Sequence, residues 1–165
     1  MRRTENFRKH IDEEFDSVFE FALMDQTCSR KSVGCSLITI FEETSLQFLR
    51  AHNGPANEKH ECTNEVGNCG CCHAEPRAII KGLKKSEFFS DCILVCTYSP
   101  CTNCANIIIA SGIVGLVMYD ILTEHDKRGA KLLSGTMPVF TRDELQKGKA
   151  DAEIKKWIQH HRDSL

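Results

Sequence analysis

His73-Ala74-Glu75, followed by Pro100-Cys101-Thr102-Asn103-Cys104, supplies one imidazole, two thiols and one carboxylate in two short segments. An imidazole nitrogen and two thiolate sulfurs are donors that suit zinc. Three protein ligands leave one tetrahedral position open for water, which distinguishes a catalytic zinc from a closed structural one. Zinc in that setting lowers the pKa of the water toward neutrality and yields hydroxide without strong base. Glu75 is not needed as a ligand. It lies two residues from His73 and is left over from the donor set. Each residue alone has an ordinary explanation: a histidine at a helix start, a first-turn carboxylate favoured by the helix dipole, and half of a closed zinc knuckle. Only the joint pattern over the two segments favours the catalytic reading.

A second group of cysteines lies just upstream. Residues 52–72 show no periodicity and hold Gly54, Pro55, Gly67 and Gly70 together with Cys62, Cys69, Cys71 and Cys72. Loops of this length inside a compact domain are usually functional or locally stapled. Cys62, Cys69 and Cys71 or Cys72, with Cys28 or His60 nearby, are candidate ligands of a second, structural zinc that would hold a segment too irregular to bury itself. The chain has ten cysteines in 165 residues. Met1-Arg2-Arg3 is followed by no apolar stretch of signal-peptide type, so a reducing cytoplasm with metal sites is expected rather than a disulfide framework. Cys35, Cys92 and Cys96 fall in apolar, strand-like runs and read as small hydrophobes.

The elements that must position these residues follow from periodicity. Phe7, Ile11, Phe15, Val18, Phe19, Ala22 and Leu23 recur at helical spacing and predict a helix over 6–25. Val33 to Phe41 and Leu46 to Ala51 predict a hairpin of strands, with Glu42 to Ser45 as its turn. A helix is predicted from His73, with Pro76 in the first turn, where no amide acceptor is lost, and with Ala78, Ile79, Ile80 and Leu83 on its buried side. Cys92 to Thr97 predicts a strand. Ser99-Pro100 breaks it and opens a helix on which Cys101 and Cys104 share a face near the N-terminus, where the dipole favours thiolate. A strand over Val114 to Tyr119, a helix over Lys127 to Leu133 and a strand over Met137 to Phe140 follow. Thr141-Arg142-Asp143-Glu144 forms a capping box heading a last helix that reaches His160, with Leu145, Ile154, Trp157 and Ile158 inside. Strands alternating with helices after residue 73 predict an α/β layered domain with a mixed sheet, a single domain over 1–165.

These motifs carry a resemblance. The H-x-E…P-C-x-x-C arrangement is the signature of zinc nucleobase deaminases. From Arg30 to Phe140 the chain resembles the cytidine/deoxycytidylate deaminase superfamily, most closely its deoxycytidylate (dCMP) deaminase branch. Besides the two metal segments, Arg30-Lys31-Ser32-Val33-Gly34, Asn53-Gly54-Pro55, Tyr98-Ser99-Pro100-Cys101 and Ser111-Gly112-Ile113 are similar to family segments. The resemblance implies a three-layer domain with a five-stranded mixed sheet flanked by helices, one catalytic Zn2+ per subunit held by His73, Cys101 and Cys104, Glu75 as proton shuttle, and a homo-oligomer. It also implies attack at C4 of a cytosine, with dCMP and water giving dUMP and ammonia, and substrate contacts at Asn53, Ala74, Ser99 and Pro100. The family often carries Asn or Thr where Arg77 stands, seldom after proline. Arg77 is therefore a phosphate candidate, with Arg30, Lys31, Lys127 and Arg128 as others. No segment of residues 53–70 matches the motif associated with allosteric control by nucleoside triphosphates.

Composition bounds the alternatives. Lys and Arg number 21 against 23 Asp and Glu, for a net charge of −2, and aromatics are 7%. A polynucleotide editor needs a basic groove and aromatic platforms, so nucleic acid is not the expected partner. No apolar run approaches the length of a membrane helix. The signature is nevertheless shared, which leaves free cytidine or deoxycytidine, and a base in single-stranded DNA or RNA, as alternative substrates. A non-enzymatic alternative is a structural zinc-binding interaction module using Cys69, Cys71, Cys101 and Cys104, in which Glu75 would be dispensable.

Overall fold

The computed structural model describes residues 2–25, 27–41, 45–57, 61–65, 69–84, 92–113 and 117–163. The helix α1 (Arg2–Met24) leads into the strands β1 (Gly34–Phe41) and β2 (Ser45–His52). Two residue-pair strands follow, β3 (Gly54–Pro55) and β4 (Cys71–Cys72), then α2 (Ala74–Lys84), β5 (Ile93–Tyr98) and α3 (Thr102–Ala110). After β6 (Val117–Ile121) and a 3-10 turn at Glu124–Asp126 come α4 (Lys127–Ser134), β7 (Val139–Thr141), α5 (Arg142–Gln146) and α6 (Asp151–Asp163).

The main sheet has five strands in the order β2-β1-β5-β6-β7. β1 pairs antiparallel with both β2 and β5, with Gly34 opposite His52 at one end of the hairpin, while β5, β6 and β7 run parallel. The sheet is therefore mixed. Its parallel half needs crossover helices, which α3 and α4 provide. Alternation along β5 sorts the core into two layers. Leu94 and Cys96 face a cluster with Ala78, Ile79, Ala105, Ile108 and Leu133 from α2, α3 and α4. Ile93 and Val95 face Phe7, Ile11 and Phe15 of α1 with Ile154 and Trp157 of α6. β1 and β5 are buried on both faces, as a central pair covered by two helical layers must be. Cys35, Cys92 and Cys96 are fully buried.

Polar ties fix α1 over the sheet. Glu14, 2% exposed, receives both Arg50 nitrogens at 2.7 and 2.6 Å, so the buried carboxylate is paired. Arg142 at the head of α5 binds Asp12 and Asp16.

Several expectations are corrected. On α2 the inner residues are Ala74, Glu75, Ala78, Ile79 and Gly82, spaced by helical turns. Ile80 and Leu83 lie on the other face and are 50% and 60% exposed. Phe19 and Leu23 of α1 are likewise exposed. The helix expected to run from Thr141 to His160 is two helices, because Gly148 adopts φ 76° between them. That left-handed conformation suits glycine and ends the first helix. The capping box at Thr141 and Glu144 is present. The last strand begins at Val139 rather than Met137. The hairpin turn at 42–44, the strand start at 114–116 and His60 lie outside the described residues.

Candidate active site

Both metal-donor segments sit at helix starts. His73 immediately precedes α2, and its carbonyl accepts the Arg77 amide at 3.4 Å. Cys101 is the N-cap of α3, and Cys104 lies in its first turn. β5 ends at Tyr98, where Ser99 and Pro100 break the strand, so α3 begins beyond the carboxyl end of a parallel strand. Open α/β sheets place their ligand sites in that position. The break is tied to the next strand, since the Ser99 amide donates to the Ile121 carbonyl at 2.8 Å.

There the two segments meet. His73 Nδ1 is 3.3 Å from Cys104 Sγ and 3.6 Å from Cys101 Sγ. The donor atoms of all three residues lie within 4.8 Å of one another. A tetrahedral zinc with Zn–N near 2.1 Å and Zn–S near 2.3 Å would separate such donors by about 3.6 Å. The donor set therefore fits zinc in both chemistry and spacing. Hydrogen bonds from the Cys104 thiol and His73 hold the Cys101 thiol down to about 3. The same bond and burial push Cys104 up, and the bond to Cys101 raises His73.

Glu75 stands beside this trio. It is 3% exposed, and burial pushes its carboxyl up. Its Oε2 is buried without a hydrogen-bond partner. An unpartnered buried carboxylate oxygen is costly and rare in folded proteins. Such an orphaned oxygen is a candidate contact for a molecule bound in the cavity.

Glu75, His73 and Cys101 line a cavity of about 740 Å³. Asn53, Ala74 and Ser99 line the same cavity. Asn53 is already engaged: its Oδ1 accepts the Val33 amide at 2.8 Å and its Nδ2 donates to the Lys31 carbonyl at 2.7 Å. One acceptor and one donor position remain free on that amide. Pro100 is buried but not part of the lining. Arg77 faces elsewhere. Two positions beyond Glu75 on a helix is about 200° around the axis, and Arg77 lines a neighbouring cavity of about 720 Å³. Its guanidinium packs against Gly54, where an added Cβ would meet Arg77 Nη1 at 2.9 Å. Lys127 and Arg128 are exposed on α4 outside the lining, whereas Arg30 and Lys31 are in it.

Thr123 and Asp126, whose side chains bond each other, also line the cavity, and the Thr123 amide reaches Ser99 Oγ at 3.4 Å. Nothing in their local sequence marked them. Gly129 was missed as well. It is buried on α4, and an added Cβ would fall 2.1 Å from the Pro100 carbonyl oxygen and 2.6 Å from the Cys101 carbonyl carbon. A glycine inside a helical stretch was the available signal, because such a residue usually marks close backbone approach.

The cysteine loop forms a second cluster. Cys28, Cys62, Cys69 and Cys71 place their sulfurs within 4.8 Å of one another. Cys28 and Cys62 are 3.8 Å apart, close to the roughly 3.8 Å expected between two sulfurs on one tetrahedral zinc. Cys72 is exposed and outside the group. Neighbours on a strand point to opposite sides, so β4 can offer Cys71 or Cys72 but not both, and Cys28 is the fourth member. The Ser29 hydroxyl, 3.3 Å from Cys62 Sγ, and the Asn64 amide hold that thiol down to about 6. Cys69 and Cys71 belong to one cluster and Cys101 and Cys104 to the other, so the mixed four-cysteine module is not assembled. All ten cysteines are free thiols.

The chain is similar to known proteins in sequence and in fold. The crystal structure of dCMP deaminase from the cyanophage S-TIM5 in apo form superposes with a TM-score of 0.62 at 28% identity, covering 80% of this chain and 97% of that one. The structure of the cyanophage protein in complex with dCMP and dUMP gives 0.66 at 26%, covering 78% and 93%. Deoxycytidylate deaminase of Schizosaccharomyces pombe is 27% identical over 137 residues, which is 77% of this chain and 42% of that relative, so the chain spans less than half of its length. The family model for the cytidine and deoxycytidylate deaminase zinc-binding region matches residues 10–120. With the imidazole, the two sulfurs and the buried acid of that region assembled at one cavity, the chain belongs to the cytidine and deoxycytidylate deaminase family.

Proposed function

We propose that residues 1–165 form one zinc-dependent deaminase domain that hydrolyses the exocyclic amine of a cytosine nucleotide, converting dCMP and water to dUMP and ammonia. Glu75 carries this reading: its Oε2 is buried and unpartnered beside an N/S/S donor trio, in a cavity large enough for a nucleotide. The cyanophage dCMP deaminase in complex with dCMP and dUMP supports the choice of substrate.

His73 Nδ1, Cys101 Sγ and Cys104 Sγ would hold the zinc. When bound, the ion supplies the Lewis acidity that makes water a nucleophile at neutral pH. Glu75 takes one proton from the attacking water and passes it to ring N3 as the new C–O bond forms at C4. It then takes the remaining hydroxyl proton and delivers it to the amine, the C4–N bond breaks, and ammonia leaves a carbonyl behind. One carboxylate thus serves in both directions. Asn53, Ala74 and Ser99 would orient the nucleoside, and burial of Glu75 keeps bulk water from its proton.

The reading extends to a second, structural zinc at Cys28, Cys62, Cys69 and Cys71. Four thiols at tetrahedral spacing support it, since a closed four-ligand site leaves no position for water. Assembly as a homo-oligomer is supported by the exposed Ile80, Leu83 and Ile107 on α2 and α3, and ten free thiols fit a cytoplasmic setting. No helix among the described residues is long and apolar enough to cross a membrane.

The decisive assay follows ammonia release and absorbance with dCMP, CMP, dCTP, cytidine, deoxycytidine and single-stranded DNA. dCMP is expected to be the preferred substrate. Release from none of them would reject the enzyme, and strong activity on single-stranded DNA with none on dCMP would reject the substrate. Zinc analysis of the purified protein is expected to give two ions per chain, and one ion rejects the structural site.

A further inference from the structure

We infer that His52, held by Asp25, is a positioning residue of the cavity: it clamps Asn53 so that the asparagine amide meets the nucleoside in one orientation. This inference rests on the deaminase reading and adds a residue behind its nucleoside-binding wall. Asn53 follows the last residue of β2 and lines the cavity that holds His73 and Glu75. Three bonds tie it to the segment before β1. Its amide donates to the Val33 carbonyl at 2.9 Å, its Oδ1 accepts from the Val33 amide at 2.8 Å, and its Nδ2 donates to the Lys31 carbonyl at 2.7 Å. The fourth comes from His52, whose Nδ1 lies 3.0 Å from the Asn53 carbonyl oxygen. These four contacts leave one donor and one acceptor position of the side-chain amide for a ligand.

His52 is itself fixed. It is 8% exposed, its ring meets the Phe21 ring of α1 edge-on at 5.6 Å, and its Nε2 lies 3.1 Å from Asp25 Oδ2, just past the end of α1. The Asn53 carbonyl and the Asp25 carboxylate both accept, so the ring serves both when each nitrogen carries a hydrogen. The contact with Asp25 is then charge-assisted. The same turn grips the other neighbour of Asn53. The Thr27 amide donates to the Asp25 carbonyl at 2.9 Å, and a Cβ on Gly54 would collide with Thr27 Oγ1. The end of α1 therefore holds residues 52 and 54 at once, and the backbone of Asn53 is fixed from both sides. His52 lines the neighbouring cavity together with Asp25, Glu61 and Arg77, while Asn53 lines the cavity with the donor trio. The imidazole and the amide are thus two sides of one wall, and the effect of His52 passes through Asn53.

The test replaces the ring in two ways. His52→Asn keeps a donor near the place of Nδ1 and gives up the aromatic ring. His52→Phe keeps a ring against Phe21 and gives up the donor. For both, and for Asp25→Ala, kcat/KM is measured with dCMP and with deoxycytidine, alongside zinc content. His52→Phe is expected to lower kcat/KM about a hundredfold on both substrates, because the nucleoside is common to them. His52→Asn should stay within about tenfold of the wild type and Asp25→Ala should lose about tenfold, with zinc content unchanged throughout. Calorimetric titration with dUMP, which needs no turnover, should weaken in the same order. Wild-type kinetics in His52→Phe, or equal losses in His52→Asn and His52→Phe, overturn the inference, since the donor would then not be what the ring supplies. Should His52→Phe fail to fold, the exposed Asp25 decides: Asp25→Ala should have no further effect in the His52→Asn background, and a full additional loss there overturns the inference. A wild type that deaminates neither substrate sinks the proposed function, whereas an active wild type with indifferent variants sinks the role of His52 alone.

Discussion

Two clusters of metal-donor side chains share the wall of one cavity and differ by a single ligand. His73, Cys101 and Cys104 offer three donors beside the buried Glu75, while Cys28, Cys62, Cys69 and Cys71 offer four. The three-donor group stands at the starts of α2 and α3, which pack on the sheet. The four-donor group comes from loops and the two-residue strand β4. Helix starts anchored in a core can hold an incomplete coordination sphere without collapse. Irregular backbone with little apolar burial needs the complete sphere to be held at all. Under the proposed function the same chemical donors would serve reaction in one region and architecture in the other, and the count of ligands would decide which.

The comparison breaks most severely at Glu75. Glu75→Ala and Glu75→Gln should lower kcat for dCMP by about 10²- to 10⁴-fold while zinc content by metal analysis stays at the wild-type value. Loss of zinc together with activity would make Glu75 a ligand and erase the distinction between the clusters. Gly129→Ala comes next. The new Cβ presses on the Pro100–Cys101 backbone, and a displacement of the ligand turn of about 1 Å should cost about a hundredfold in kcat/KM. Wild-type kinetics in this variant would show that the α3 start is less rigidly held than claimed.

The four-thiol cluster is sharpened by neighbours in sequence. Cys71→Ser should remove one zinc per chain and lower Tm by more than about 5 °C, whereas Cys72→Ser should leave zinc content and Tm at wild-type values. Equal behaviour of the two would contradict the strand alternation that assigns them to opposite sides. The smallest effect lies far from both clusters. Thr141→Ala should cost about 1 kcal/mol in chemical denaturation. The Thr141 amide holds the Glu144 carboxyl below its ordinary value. The share of the cap that depends on this carboxylate is therefore present above about pH 4.3 and is lost as pH falls through the lowered folded-state value. A stability difference between Glu144→Gln and wild type that persists unchanged well below that pH would remove the carboxylate from the cap.

Much of the candidate site was legible in spacing, because a zinc site would demand particular atoms at particular separations. His73 and Glu75 are two apart, and Cys101 and Cys104 share a helical face, whatever surrounds them. Strand and helix order was equally legible, since periods of 2 and 3.6 follow from backbone geometry. Helix faces were less so. Ile80 and Leu83 look like core residues, yet a helix of eleven residues on one side of a sheet buries one stripe, and Ala78, Ile79 and Gly82 took it. Arg77 illustrates the same limit from the polar side: adjacent to the motif in sequence, it is turned by the helix into another cavity.

The residue types and intervals of the chain therefore settled the chemistry available, a nitrogen, two sulfurs and one spare carboxylate, together with the α/β order of elements that carries them. Folding in three dimensions decided which distant groups join that chemistry. It chose Cys28 over Cys72 for the sulfur cluster, brought Arg30 and Lys31 to the cavity while leaving Lys127 and Arg128 outside, and set Gly129 against the ligand turn. The reason is physical. Spacing within a helix or strand follows from local backbone geometry, whereas proximity between separate segments depends on how the whole sheet and its two helical layers close over the core.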